Sequence, residues 1–437
     1  MLGDKGTKVA VISLGCAKNL ADMEGVLAGI NPELQLVPYP DAEIVFLNTC
    51  GFLKEARDEV YENLKMLTKK KVIFMGCLAG TIDKSFFEKY PQVCAIVSSA
   101  NYLNIDEIFQ EVLKGEKVFA VSPEPTDFEV LPGKQLLTSQ SYAYVKIAEG
   151  CDNSCSYCLI PKLKGKYRSR KKEQILQEVE ALVNFGVKEI ILVAQDCGYY
   201  GVDLYGEMKL AELLEEITSI NGDFWVRVLY VYPERINDEL LKVLNDSKKI
   251  CKYLDIPLQH GDRSILKKMK RVSDVAKIKE NIKNIREKVP GIVLRTSFIV
   301  GFPGETEKEF LNLAEFVSDI EFDHVGVFKY SKEKGTAAYD FKGDVTKENK
   351  DERFNQLMTL QQKISLRKNR ELEGKVVQVL VDHFDTEKKM YIGRSMRFAP
   401  EVDGEILIKS EKKLEQNMFY DVKITEGKEY DLLGEVK

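Results

Sequence analysis

The sequence predicts an α/β chain in three parts: an N-terminal open α/β domain, a central partial barrel of six β/α units, and a small antiparallel β-barrel at the C-terminus. Three observations predict it. Short apolar runs alternate with amphipathic stretches over residues 8–120, as in an open sheet covered by helices. After a turn-rich interval the alternation resumes and repeats about six times, short of a full eight-unit barrel. Past residue 371 it gives way to brief β-like runs separated by turn residues. The expected divisions are 1–123, a linker at 124–140, the partial barrel at 141–346, a connecting helix at 347–370 and the small barrel at 371–437.

The first domain is read from runs at 9–14, 44–47, 72–75 and 93–97. A cysteine follows each of the first three, in Gly15-Cys16, Asn48-Thr49-Cys50 and Gly76-Cys77. The carboxyl ends of parallel strands share one edge, where ligands bind, so Cys16, Cys50 and Cys77 are expected to form a three-thiol site. Taken singly, each would be an ordinary buried thiol. Their recurrence at three strand ends is what points to a site. Cys94 lies inside its run and is expected in the core.

Residues 124–134 carry turn formers without a period and read as a linker. Barrel strands are then expected at 142–148, 187–193, 224–230, 252–257, 292–299 and 323–329, with helices between them such as 172–185 and 305–319. Polar residues and glycines gather after these strands, where such a barrel carries its active site: Gln195 and Asp196, Tyr230 and Tyr232, Gln259 and His260, Gly301-Phe302-Pro303-Gly304-Glu305, and Tyr330 with Ser331. The glycine-proline stretch is equally ordinary turn chemistry. His260 reads as a structural histidine before a rim residue, Cys197 as facing the cavity, and Cys251 as packed. The basic run from Lys162 to Lys172 reads either as a solvated loop or as an anion or RNA contact.

The densest chemistry is Cys151-x3-Cys155-x2-Cys158, directly after the first barrel strand. A closed iron-sulfur cluster or a structural zinc takes four protein ligands, so three thiols leave one metal position for a ligand that is not protein. Zinc motifs come as paired C-x-x-C knuckles, and the chain has only His260, His324 and His383 to complete one. Thiolate softness and this spacing favour iron-sulfur. A zinc loop closed by a distant histidine is the alternative.

With Tyr157 just before its third cysteine, this loop resembles the signature of the radical S-adenosylmethionine (SAM) enzymes. The resemblance implies a 4Fe-4S cluster on Cys151, Cys155 and Cys158 whose fourth iron is chelated by SAM, with Tyr157 near the adenine. It further implies SAM contacts from Gln195 and Asp196, although the family's usual Gly-Gly-Glu is absent there, and from Gly301, Phe302, Pro303 and Glu305 beside the adenine.

Beyond the barrel, Phe354, Leu357, Met358, Leu360, Ile364 and Leu366 lie on a charged amphipathic stretch read as a connecting helix. Runs at 376–381, 391–393, 405–408 and 420–424 follow. The small barrel they predict resembles the TRAM module, which implies contact with RNA or ribosomal components. Residues 371–437 carry 11 Lys and Arg against 15 Asp and Glu, and an acidic barrel is a poor phosphate binder.

The whole layout resembles the methylthiotransferases, in the branch that modifies the small-subunit ribosomal protein S-twelve. Its motifs here are Gly15-Cys16-Ala17-Lys18-Asn19-Leu20-Ala21-Asp22, Tyr253-Leu254-Asp255-Ile256-Pro257-Leu258-Gln259-His260, Val327-Phe328-Lys329-Tyr330-Ser331 and Ala399-Pro400-Glu401-Val402-Asp403-Gly404. Ala17 and Cys197 depart from the family's usual proline and hydroxyl residue. The resemblance implies a second 4Fe-4S cluster on Cys16, Cys50 and Cys77 that carries sulfide or polysulfide. A 5′-deoxyadenosyl radical would take a hydrogen from the β-carbon of an aspartate, and a methylthio group built with a second SAM would join that carbon. No side chain is expected to act as acid or base. The implied partners are S-twelve or the small ribosomal subunit, an external electron donor and rRNA. A tRNA adenosine methylthiotransferase is the alternative, and a basic barrel would suit it better. A non-catalytic iron-sulfur scaffold or RNA-binding regulator is a third reading, and predicts no SAM cleavage.

Composition sets the limits. Hydrophobic content of 44% and charged content of 30% suit a soluble globular protein. No apolar run reaches the roughly 18 residues of a membrane span, and residues 1–6 lack a signal peptide's apolar core, so a cytoplasmic protein with no membrane partner is expected. Nine cysteines, an odd number, favour metal ligands and thiols over a disulfide framework. A net charge of −5 argues against a broad nucleic-acid footprint.

Overall fold

The computed structural model describes residues 6–31, 34–131, 133–272 and 274–437. Residues 1–5 and Pro132 of the predicted linker lie outside the described residues. The chain forms two compact units. One comprises Met1–Leu137, Ala148–Ser154 and Cys158–Arg170; the other comprises Thr138–Ile147, Cys155–Tyr157 and Lys171–Lys437.

The first unit is built on a parallel sheet of β1 (Thr7–Ser13), β2 (Leu34–Leu36), β3 (Ile44–Thr49), β4 (Lys71–Gly76), β5 (Val93–Val97) and β6 (Val118–Ala120), in the order β2-β1-β3-β4-β5-β6. Alternate residues of each strand feed two cores. Val9, Phe46 and Ile73 pack with helices Ala17–Ala28 and Ile105–Leu113, while Ala10, Val45, Leu47 and Phe74 pack with Lys54–Met66. Burial on both faces is why these strands read as continuous apolar runs. Neither edge strand, three residues each, was predicted, although β6 lies in the apolar run Val118-Phe119-Ala120-Val121. Cys94 lies within β5, partly buried against the first core. After β7 (Tyr142–Lys146), which belongs to the other unit, the chain returns for two-residue strands β8 (Ala148–Glu149) and β9 (Arg168–Ser169). These pair antiparallel at the foot of the cysteine loop.

In the second unit, β7 is followed by β10 (Glu189–Val193), β11 (Trp225–Val228), β12 (Tyr253–Asp255), β13 (Val293–Val300) and β14 (His324–Lys329), every pairing parallel. A single bridge, Val226 to Ile250, joins the two three-stranded halves. Six strands therefore follow one another in chain order, as the β/α alternation predicts. Helix Lys347–Arg370 lies against the last strands, where Gln361 Nε2 donates to the Phe322 carbonyl at 3.0 Å.

A closed barrel of β15 (Val376–Asp385), β16 (Met390–Arg394), β17 (Ile406–Lys409), β18 (Phe419–Gly427) and β19 (Leu432–Val436) completes the unit. It is antiparallel except for β17 with β19, and β19 is a strand the sequence did not announce. The barrel meets the starting ends of the long strands. Tyr142 donates to Glu401 at 2.9 Å, Tyr253 to Asp403 at 2.7 Å, and Trp225 lies 4.7 Å from Phe419 between ring centroids. Glu189 is fully buried between Arg227, at 2.6 Å, and Arg394 of the barrel. Burial alone would raise its carboxyl, yet the two guanidiniums hold it below the usual range. Among the described residues, no helix is long and apolar enough to cross a membrane.

Candidate cofactor sites

Cys16, Cys50 and Cys77 stand at the ends of β1, β3 and β4, which are neighbours in the sheet. Adjacent strands lie about 4.8 Å apart, so three consecutive ends fall within about 10 Å. The order 2-1-3-4-5 also reverses between β1 and β3, the crevice where open α/β sheets bind ligands. Asn19 ties the ends together. Its Nδ2 donates to the carbonyls of Leu14 and Thr49 at 3.2 Å each, and its Oδ1 accepts from the Cys77 thiol at 3.5 Å. Gly76, at φ 101°, lets the chain turn into Cys77 where a Cβ would stand 2.5 Å from the Thr49 carbonyl oxygen. Burial pushes the Cys77 thiol up to about 12. The Lys164 cation opposes this, and the charges of Cys16 and Cys50 add to it. Burial is also the main cause raising Cys50. The three sulfurs thus feel one another electrostatically.

Lys164 itself fits neither reading of the basic run. It is 3% exposed, and Arg168 and Arg170 are nearly as buried. Its ammonium lies 3.4 Å from Glu149 and 3.8 Å from Asp22. Burial would lower its pKa, but Glu149, then Cys77 and Asp22, hold it well above the usual value. Arg168 pairs with Glu124 at 3.1 Å and donates to the Lys164 carbonyl at 2.9 Å. Lys162, Lys166 and Lys171 stay exposed, while Lys164, Arg168 and Arg170 are withdrawn from solvent, and Lys164 cross-braces the helix after Cys16 to the strand before Cys151. Helix Ile160–Lys164 puts Ile160, Leu163 and Lys164 on one face, the only hint of this in the sequence.

The Cys151–Cys158 loop is anchored residue by residue. Cys151 N–H donates to the Gly165 carbonyl at 3.2 Å, and Tyr167 N–H donates to Asp152 at 3.0 Å. Gly150, at φ 79°, would place a Cβ 2.0 Å from the Lys166 carbonyl oxygen. Each cysteine sulfur accepts a hydrogen bond. Asn153 Nδ2 donates to Cys151 at 3.4 Å, Ile160 N–H to Cys158 at 3.4 Å, and Arg271 Nη1 to Cys155 at 3.7 Å. Ser156 N–H and Oγ donate to the carbonyls of Met269 and Lys268.

At the carboxyl ends of the barrel strands, the stretch after β13 forms a turn with Gly301 and Gly304 at φ 76° and 79°. Glu305 is 3% exposed. One of its oxygens accepts from the Gly301 and Phe302 amides at 2.8 and 3.2 Å, and the other accepts from Arg353 at 2.9 Å. Its carboxylate is committed to the turn, and the Phe302 ring packs with Ile265, Met269, Tyr330 and Ala338, beside which Tyr157 is partly buried. What the turn offers a ligand is its backbone. Asp196 is buried, 3.7 Å from Arg235, and Gln195 is partly buried beside it. Tyr230 and Gln259 hold φ of 61° and 76°, strain that collects where a barrel does its chemistry. His260 is fully buried; Nδ1 accepts from the Asp262 amide at 2.9 Å and Nε2 lies 3.5 Å from Glu305. It is structural. Cys197 is likewise buried, its thiol donating to the Leu192 carbonyl at 3.7 Å, and Cys251 is packed.

All nine cysteines are thiols. Among the described residues, no three His, Cys, Asp or Glu side chains are set to hold a single metal ion. A cubane asks instead for one thiolate per iron, and soft thiolates in two sets of three, each braced by hydrogen bonds and close-packed glycines, fit that demand.

The sequence matches the models of the Radical SAM superfamily over residues 145–317, the TRAM domain over 374–436 and the Uncharacterized protein family UPF0004 over 8–98. It is 43% identical over 441 residues to the ribosomal protein uS12 methylthiotransferase RimO of Clostridium novyi (strain NT), with 98% of each chain covered. The protein of the same name from Thermoanaerobacter sp. (strain X514) is 42% identical over 435 residues, 98% of this chain and 99% of that one. Among solved structures, the radical SAM methyltransferase TsrM from Kitasatospora setae superposes with a TM-score of 0.53 at 13% identity, covering 74% of this chain and 72% of that one. The cobalamin-dependent SAM radical enzyme OxsB gives 0.50 at 13% identity over 82% of this chain and 56% of that one. These two likenesses concern the fold alone.

Proposed function

The chain belongs to the RimO family of ribosomal protein uS12 methylthiotransferases, and from that premise we propose that it adds a methylthio group to the β-carbon of an aspartate of uS12 by radical SAM chemistry. The observation that carries the proposal is the pair of three-cysteine sets in one chain, each one ligand short of a closed cluster. Cys151, Cys155 and Cys158 would hold the 4Fe-4S cluster that binds SAM, and Cys16, Cys50 and Cys77 a second one able to carry sulfide or polysulfide. When bound, these groups supply one-electron cleavage of SAM and a sulfur for methylation and transfer.

The chain's own part is placement. The Gly301–Gly304 turn would offer backbone amides and carbonyls to SAM while Phe302, packed beneath it, keeps the turn from shifting. Tyr157 and the strand end at Gln195 and Asp196 would complete that pocket. Lys164 would keep the Cys77 side of the second site rigid and less repulsive to thiolate. The acidic C-terminal barrel suits a basic ribosomal protein, with contact to rRNA and an external electron donor as further partners, in the cytoplasm.

The tRNA alternative gains nothing from the relatives, which carry the uS12 name. Mass spectrometry of uS12 and of tRNA after anaerobic reaction tests the proposal: a methylthio mass on a uS12 aspartate is expected, and one on tRNA alone would overturn it. Replacing Cys16, Cys50 and Cys77 together by alanine should cut iron and sulfide per chain by about half. Unchanged iron would remove the second cluster from the scheme.

A further inference from the structure

The hydrogen bond to Cys155 in the cysteine loop comes from a charged donor, Arg271. Arg271 is 9% exposed, and its guanidinium is held from several sides. Nη2 donates to the Pro257 carbonyl at 2.6 Å, the plane lies 3.8 Å from the Tyr232 ring centroid, and Nη1 reaches Cys155 Sγ at 3.7 Å. Pro257 follows β12 and Tyr232 follows β11, so two strand ends aim one cation at one sulfur. A guanidinium remains protonated in proteins, so the group pointed at the sulfur is a cation. Arginine suits this because a planar fork can bond, stack and point at once, and a hydrogen bond from an ionised donor is roughly twice as strong as a neutral one.

We propose that Arg271 is a positioning residue for the reducing cluster: its guanidinium stabilises the added negative charge on the Cys155 side and so raises the potential at which the SAM-binding cluster accepts its electron. Hydrogen bonds to cluster sulfurs and nearby charge are among the levers that set such potentials. The proposal rests on the assignment of Cys151, Cys155 and Cys158 to that cluster.

The test uses the full chain carrying Cys16→Ala, Cys50→Ala and Cys77→Ala, so that one cluster reports, poised with redox mediators and followed by electron paramagnetic resonance. Adding Arg271→Met should make the cluster about tenfold harder to reduce at a given poise, which for one electron is about 59 mV. Arg271→Lys, which keeps the charge but loses the fork, should restore part of the shift. If Arg271→Met does not retain iron, Arg271→Gln decides, and its potential should fall in the same direction. A potential equal to the parent's in an iron-replete neutral variant overturns the proposal. Absence of any cluster signal in the cysteine-substituted parent would instead overturn the ligand assignment itself.

Discussion

Replacing Lys164 by methionine should destabilise the N-terminal unit far more than a lysine in a basic run has any reason to. The ammonium stands 3.4 Å from Glu149 and 3.8 Å from Asp22. At an effective dielectric of about 20, these separations correspond to about 5 and 4 kcal/mol of attraction before desolvation is charged against them. Burying the ions costs several kcal/mol each, so the intact network is worth much less than that sum. Removing only the cation, however, leaves two buried carboxylates without its counter-charge, and breaking a buried pair this way typically costs about 3–5 kcal/mol. Urea unfolding, read together with hydrogen exchange of the β3 and β4 amides, should show a loss in that range for Lys164→Met. Lys164→Arg should lose less than Lys164→Met, because it keeps the charge and costs only the overpacking of a larger side chain. The loss should also resist added salt, which screens exposed charges far more than buried ones. A Lys164→Met protein as stable as its parent would mean that the side chain is solvated and that the brace between Asp22 and Glu149 does not exist.

Other expectations follow from the same reasoning. Gly150→Ala forces an L residue to φ 79° with its Cβ 2.0 Å from a backbone oxygen; the conformation alone costs about 1–2 kcal/mol. If Cys151, Cys155 and Cys158 hold a cluster as proposed, iron per chain should fall sharply by colorimetric assay. Glu305→Gln should loosen the Gly301–Phe302 turn and weaken anaerobic SAM binding about tenfold, or about 1.4 kcal/mol; equal affinity by equilibrium dialysis would detach that turn from the cofactor. Glu189 has a folded-state pKa depressed below the ordinary 4.5, so its contribution is complete above the unfolded value and is lost as pH falls through the folded one. Glu189→Gln should therefore destabilise the chain by about 3–5 kcal/mol near neutrality, and part of that difference should disappear in acid unfolding series below about pH 4.

The sheet strands with two-sided burial and the β/α alternation were legible because apolar periodicity writes them directly into the chain. Helix Lys172–Phe185 falls where its spacing puts it. The six candidate cysteines were legible for a different reason: their positions relative to strand ends are one-dimensional facts. What escaped were interactions decided by folding back. Lys164 and Arg271 sit among other basic residues, and nothing along the chain separates a buried cation from its solvated neighbours. Strand β19 contains Gly434 and Glu435, which blunt its alternation, and it exists because β17 and β18 flank it. The resemblance set Glu305 beside SAM, and nothing along the chain showed that its carboxylate accepts from the turn's own amides.

The seating of the five-stranded barrel on the starting ends of the long strands has a mechanical corollary. Buried guanidiniums, carboxylates and tyrosine hydroxyls fasten the two pieces, so the barrel behaves as a fixed gauge and not as a tethered hand. Strand β13 runs for eight residues, about 26 Å at the usual rise of about 3.3 Å per residue. Any macromolecule that touches the barrel at one end and presents a side chain to the loops at the other must span roughly that length, and a short peptide carrying only the proposed target residue would forgo the measurement.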